Sequence, residues 1–412
     1  MSAMRQKEIC PHCQPAPISH TLNRWEHIIH MLLRPYMYPL EALRRKLLPI
    51  FSSKNGKKLK LGTLKLFLSS GIVRAIPRPT ENETMRTLCF WEEADRRGIK
   101  MSRLALFNLP SNLFMAQYRG RTRVFEGLAR PDGLESDSLE WMDDKGVMRE
   151  KFKAAGFPVA LGGVCATKKT AIGIFNSIGT PVIVKPHSGS RSRHTTIHIS
   201  NVDDLLVAFR IAKQLSSWVV IEEQLQGMVH RGTVIGGKLF AVIRREPPHV
   251  YGDGKSTVRE LVNKENQNPK RHGPVFHEIA SGSEAELELK RQGLKWESVP
   301  KAGELVTFNQ KISRGLGGST TDLTDSVHAD NIKLFEDIAA FLGEPLVGID
   351  FIISDIKKSW RETQKCGVIE CNSLPFIDLH HYPLVGEARN AAGALWDIVF
   401  PSGLVEVAVR DN

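Results

Sequence analysis

The chain reads as short apolar runs that end on single polar residues, set among amphipathic stretches of helical period. Glu83 to Arg97 has helical character and stops at Gly98, Leu104 to Phe107 reads as a strand, and Met115 to Leu128 as a hairpin turning at Arg119-Gly120-Arg121. Lys145 to Ala155 predicts a helix ended by Gly156. Thr180 to Lys185 and Trp218 to Leu225 read as strands, the second running into a polar hinge. Thr257-Val258-Arg259-Glu260, directly after Gly252-Asp253-Gly254, has the spacing of a capping box, in which a hydroxyl and a carboxylate serve the first-turn amides. Further on, Val347 to Phe351 opens one apolar run and Val368 to Asn372 closes another. The pattern is that of an α/β (α+β) protein with a mixed sheet in its later part.

Two of these runs end on groups that a buried strand does not carry without reason. Lys185 closes Val182-Ile183-Val184, and its ammonium must meet an anion or escape to solvent. The loop after it, His187-Ser188-Gly189-Ser190-Arg191-Ser192-Arg193-His194, is small and cationic, suited to lying over phosphates. The hinge Glu222-Glu223-Gln224-Leu225 can present backbone groups to an adenine edge. In the last run Glu370 and Asn372 sit two apart and project to one face, where Asp350 of a neighbouring strand can join them. Such hard oxygen donors suit magnesium, with phosphate oxygens filling the remaining positions. Each piece alone has an ordinary explanation: a snorkelling lysine, a solvated loop, polar chemistry at a strand end. In this order they point to ATP and Mg2+, with Mn2+ as an alternative ion.

From about Asp144 to Pro401 the chain resembles the ATP-grasp ligases, and among them the ATP-grasp module of cyanophycin synthetases. The likeness is carried by Asp144-Lys145, Val184-Lys185-Pro186, Glu222 with Gly227 and Arg231, and the block from Arg244 to Val258. It continues through Asn266 to Pro269, Gly317-Gly318, Asp322 to His328, Gly348-Ile349-Asp350, Glu370-Cys371-Asn372, Arg389-Asn390 and Phe400-Pro401. The resemblance implies an ATP-grasp fold of two α+β subdomains gripping ATP, with Lys145, Lys185 and the Gly189-Ser190 loop on the phosphates. It further implies Glu222, Glu223, Gln224 and Leu225 at the adenine, and Asp350, Glu370 and Asn372 on the metal. The activity implied is an ADP-forming ligase that joins a carboxylate to an amine through an acyl phosphate, on an amino-acid or peptide substrate. A kinase acting on a small molecule, or a nucleotide-binding module without turnover, are the alternatives. Arg231, Arg244 and Arg361 are candidates for steadying the acyl phosphate, because the planar guanidinium matches phosphate and carboxylate oxygens. The chain departs from the pattern in the 187–194 loop, where only Gly189 remains of a glycine-rich stretch, and at Val229, where an acidic residue is expected. Ser313 to Gly318 and Ser373 to Phe376 also differ, so a different substrate is expected.

Composition refines the picture. At 412 residues with 42% hydrophobic and 25% charged positions, the chain has ordinary globular usage, and no run reaches the length of a transmembrane helix. With no secretory leader pattern, a cytoplasmic location is expected. Through Arg74 thirteen Lys and Arg face three Asp and Glu, so nearly all of the formal charge of +11 lies at the amino end. Leu43 to Ile50 and Lys54 to Leu68 could meet an anionic membrane, nucleic acid or an acidic peptide. A basic surface over a small helical extension is preferred, because no nucleic-acid module accompanies the charge. The six cysteines, at 10, 13, 89, 165, 366 and 371, look like free thiols. Cys10-Pro11-His12-Cys13 is the exception, offering two zinc ligands to which His12, His20 or a partner chain could add. The expected organisation is a basic helical extension over 1–76, a short α/β unit over 77–140, an ATP-grasp domain over 141–402 and a tail over 403–412. The boundary between its ATP-binding and catalytic subdomains is expected at 226/227. The chain ends before any counterpart of the Mur-ligase-like half of cyanophycin synthetases, so a single ligation is expected, and a homo-oligomer.

Overall fold

The structure is a computed structural model that describes residues 10, 13, 18–25, 28–29, 32, 62, 64, 66–79, 83–107, 109–131, 141–142, 144–187 and 193–401. The basic stretch 43–50, most of 54–68, and Gly189 and Ser190 lie outside them.

A first unit comprises β1 (Val73–Ile76), α1 (Met85–Arg96), β2 (Lys100–Leu106), β3 (Leu109–Tyr118) and β4 (Arg121–Glu126), its strands pairing antiparallel in sequence order. The hairpin turns where foreseen: Arg119 and Gly120 both have positive φ, 47° and 78°, the turn geometry that matches strand twist. The strand expected over Leu104 to Phe107 starts earlier, at Lys100, and stops at Leu106 because Phe107 takes φ 48°. Phe90, Trp91, Phe114 and Phe125 bury together with Trp396 from the carboxy-terminal part of the chain. The first unit is therefore fastened to the rest through a shared core.

A second unit comprises α2 (Lys145–Ala154), β5 (Gly162–Cys165), α3 (Lys168–Ile178), β6 (Val182–Pro186), β7 (Thr196–Ile199), α4 (Val202–Lys213) and β8 (Val219–Glu223), with sheet order β5-β8-β6-β7. Alternation sorts β6 cleanly. Val182 and Val184 pack with Phe175, Leu205, Phe209 and Ile221 under α3 and α4. Lys185 and Ile183 are left on the other face, with Glu222 directly opposite Ile183 on β8.

A third unit holds β9 (Met228–Ile235), β10 (Lys238–Glu246), β11 (His249–Tyr251), α5 (Val258–Asn266), α6 (Ser283–Arg291), β12 (Leu305–Thr307) and β13 (Ser319–Asp322). It is completed by α7 (Ala329–Leu342), β14 (Leu346–Ile353), β15 (Gly367–Asn372), α8 (Asp378–His381) and α9 (Ala391–Val399). Five strands form an antiparallel sheet in the order β13-β10-β9-β14-β15. One face packs on α7, where Leu334, Phe335, Ile338 and Leu342 meet Val234, Val242, Ile349 and Phe351. Gly232 lies beneath Phe335, whose ring would stand 2.6 Å from an added Cβ, so only glycine lets helix and sheet approach this closely. The capping box of α5 forms as expected, Thr257 Oγ1 accepting from Glu260 N while Thr257 N donates to the Glu260 carboxylate at 2.8 Å. His328 likewise serves structure, its side chain accepting from Asp330 N at the start of α7.

Candidate active site

The free face of the second unit's sheet and the free face of the five-stranded sheet border one cleft of about 280 Å³. Its walls include Lys145, Lys185, Glu222, Leu225, Gln310 and Glu370. Lys185 reaches it because an odd-numbered position on β6 points away from the core, and Lys145 because it opens α2 at the cleft edge. Asp144 caps that helix, accepting from Gly146 N and Val147 N at 3.0 Å each, and also contacts His187 Nε2 at 3.1 Å. One carboxylate thus fixes both the helix start and the first residue of the loop after Lys185.

Neither Lys185 nor Glu222 is left uncompensated. Lys185 Nζ lies 2.5 Å from Glu222 Oε2, and Arg149 Nη1 of α2 stands 3.8 Å from Glu222 Oε1. The Glu223 carboxylate accepts from Leu161 N at 2.8 Å, and Gln224 bonds His198 through both ends of its amide. The hinge side chains therefore hold the hinge itself, while Glu222, Glu223 and Leu225 line the cleft.

Across the cleft, register puts Arg231 of β9, Asp350 of β14 and Glu370 of β15 on one rung. Arg231 grips Asp350 with two bonds of 2.5 and 2.8 Å, and Arg245 Nη1 adds a third at 3.1 Å. Burial pushes the Asp350 carboxyl up, but the two guanidiniums outweigh it and hold it below its ordinary value. Gly348, next along β14, leaves room for Arg231: an added Cβ would lie 3.0 Å from its Nη1. Glu370 is exposed to the cleft, and Asn372 shares its strand face with a buried side-chain nitrogen that has no partner among the described residues. Glu370 and Asn372 thus fit an oxygen-donor set for a hard cation, a carboxylate and an amide two apart on one strand. Asp350 is brought beside them with its carboxylate already carrying two arginines. Behind the rung Thr233 Oγ1 meets His380 Nε2 at 2.7 Å, and burial pushes that imidazole down to about 3. Arg86 and Arg130 of the first unit donate to the Leu374 and Ser373 carbonyls at 2.7 and 2.6 Å, pinning the turn after Asn372.

No family model matches the chain. A cyanophycin synthetase of Synechocystis sp. is 35% identical over 271 residues, 64% of this chain and 31% of that protein. The glutathione biosynthesis bifunctional protein GshAB of Clostridium perfringens is 31% identical over 224 residues, 53% of this chain and 29% of that protein. The crystal structure of a bifunctional glutathione synthetase from Pasteurella multocida matches with a TM-score of 0.59 at 26% identity, covering 78% of this chain and 44% of that one. The chain is thus similar to the ATP-grasp ligases and has their fold. It spans about a third of the length of the curated relatives it matches.

Within this ATP-grasp fold, Lys145, Lys185, Glu222, Glu223, Leu225 and Glu370 come together at the cleft, and Arg231 and Asp350 lie one layer deeper. Two of the three arginine candidates do not join them. Arg244 pairs with Glu246 at 3.0 Å on the opposite face of β10, because it sits opposite His230 rather than Arg231. Arg361 is exposed and stacks over Trp360 at 4.6 Å, in a loop tied back to α7 by Asn331. Arg245, one residue from Arg244, is the guanidinium that shares the site face. Ala241, Val242 and Ile243 are buried on both faces, so strand parity was not readable from hydropathy there. Arg149 was also missed, since a helix arginine gives no sign of what it faces.

Proposed function

We propose that this chain is an ATP-dependent, ADP-forming carboxylate-amine ligase acting on an amino acid or peptide, with Mg2+ or Mn2+ as its ion. The observation that carries the reading is the convergence of Lys145, Lys185 and Glu370 on one cleft, on a chain whose relatives are named synthetases. Lys145 and Lys185 bind phosphate oxygens, Lys185 exchanging Glu222 for the triphosphate, while the Glu222 to Leu225 hinge takes the adenine. The 187–194 loop, with Gly189 and Ser190, covers the phosphates. Magnesium, when bound by Glu370 and Asn372 with Asp350 behind, supplies neutralising charge to the transferring phosphoryl group. The substrate carboxylate takes the γ-phosphoryl group to give an acyl phosphate and ADP. The amine then attacks the acyl carbon and phosphate leaves. Arg231 and Arg245, fixed on Asp350, present cationic charge under this reaction, and the arginine side of the rung steadies the acyl phosphate.

The domain boundaries at 76/77, 140/141, 226/227 and 402/403 belong to the same reading, as do a homo-oligomeric state, a cytoplasmic location and an anionic partner for the basic amino end. Among the described residues no helix is long and apolar enough to cross a membrane. The test is ADP release from ATP and magnesium with pools of amino acids and short peptides, repeated with hydroxylamine to trap an acyl phosphate as hydroxamate. Substrate-dependent ADP and hydroxamate, both lost in Lys185→Ala and Glu370→Gln, are expected. A persistent phosphorylated product, or ATP binding without turnover on every pool, contradicts the ligase.

A further inference from the structure

The amino-terminal segment meets the second unit at a cluster of four metal-ligand side chains that the ligase reading does not use. Cys10, Cys13, His20 and His194 bring their ligating atoms within 4.8 Å of one another, and Cys13 and His194 are buried. Cys13 Sγ lies 3.1 Å from His20 Nε2 and 3.3 Å from His194 Nε2, and Cys10 Sγ lies 3.6 Å from His194 Nε2. In a tetrahedral zinc site, bonds of about 2.3 Å to sulfur and about 2.0–2.1 Å to nitrogen put sulfur and nitrogen roughly 3.6 Å apart. The four side chains already stand close to the edges of that tetrahedron.

The surroundings are built for the same purpose. Cys13 N donates to Cys10 O at 3.1 Å, which holds the two cysteines together. His194 Nδ1 bonds the Ile211 carbonyl at 2.9 Å, so its Nε2 is the nitrogen left for a metal, the outer-layer arrangement usual for zinc-bound imidazole. His194 also takes φ 53°, a conformation a histidine holds only when its surroundings fix it. Asn23 Nδ2 donates to the Leu215 carbonyl at 3.0 Å, a second and independent tie between the same two segments.

We propose that Cys10, Cys13, His20 and His194 form a structural zinc site that clamps the amino-terminal segment onto the end of the loop following Lys185. Two thiolates and two imidazoles select a borderline-soft ion over magnesium. The four protein ligands fill the coordination sphere, so the ion anchors rather than reacts. His194 lies between Arg193 and Thr195, both of which line the ATP cleft. Zinc therefore fixes one wall of the nucleotide site from outside it.

The test is metal content of the full chain purified without added zinc or chelator, by inductively coupled plasma mass spectrometry. One zinc per chain is expected, released in step with mercurial titration of two thiols, and absent from Cys13→Ser and His194→Gln while Cys366→Ala keeps it. Because a zinc-free variant can lose its fold, the wild-type chain is also stripped and reloaded with Co2+. Intense d–d bands and a thiolate charge-transfer band are expected. A folded, zinc-free wild-type chain, zinc retained in Cys13→Ser, a Co2+ spectrum without thiolate charge transfer, or a Cys10–Cys13 disulfide in the purified protein overturns the proposal. None of these readouts depends on ligase activity.

Discussion

The two sheets that border the cleft hold their cations in opposite ways. On the second unit's sheet Lys185 is a single ammonium on one carboxylate, its side chain 16% exposed. On the five-stranded sheet Arg231 and Asp350 are 4% and 2% exposed, and a second guanidinium joins them. The first pair sits where water or phosphate can replace one partner at modest cost, whereas the second centres on a desolvated Arg231–Asp350 pair that loses heavily when either member leaves. In the proposed ligase the difference separates a binding group from a scaffold within one site. A strand-end lysine and a strand-centre aspartate, both conspicuous in sequence, are therefore expected to carry different consequences when changed.

The sharpest way to break that contrast is Asp350→Ala. The buried Arg231 guanidinium and the half-buried Arg245 lose their anion, and a stability loss of about 3–5 kcal/mol is expected from urea denaturation. A loss below about 1 kcal/mol would mean that the rung is no scaffold. Next comes the pair Arg245→Met and Arg244→Met. ADP release is expected to fall roughly 10²-fold or more in the first and to change only a few-fold in the second. A larger loss at 244 would contradict the face assignment that strand register gives them.

Acid sharpens the scaffold side further. His380 and His230 are buried, and burial pushes them from the ordinary 6.5 down to about 3 and about 4. The unfolded chain takes up these protons first. Their contribution is thus complete above about pH 6.5 and is lost as pH falls toward the folded values. Asp350, held below its ordinary value, loses its contribution further down in the same direction. The thermal midpoint is expected to decline from pH 7 to 4, with a shallower slope in His380→Gln, and a flat profile would count against neutral burial. The smallest effect belongs to Thr257→Ala, which removes the cap of α5 away from the cleft. About 1 kcal/mol of stability and no change in turnover are expected.

Much of this was legible because local chemistry decided it. The Thr257 to Glu260 box, the Arg119-Gly120 turn and Lys185 at the end of an apolar run each carry their reason within a few residues. What was not legible depends on register and on chain reversal. Arg244 and Arg245 cannot be told apart until β10 is aligned against β9, and Arg149 gains meaning only when α2 docks beside Glu222. Arg361 read as a candidate from its charge alone, though its loop turns back to α7. His194 completes the cysteine cluster across 184 positions from Cys10, a distance no spacing rule bridges.

The central claim, that two amines and a divalent ion share one triphosphate in this cleft, is tested most directly by a crystal structure with a non-hydrolysable ATP analogue and Mn2+. Anomalous scattering is expected to locate manganese on Glu370 and Asn372, with Lys145 and Lys185 within hydrogen-bond reach of the phosphates. Manganese elsewhere, or Lys185 still closed on Glu222 with the triphosphate out of reach, would contradict the account.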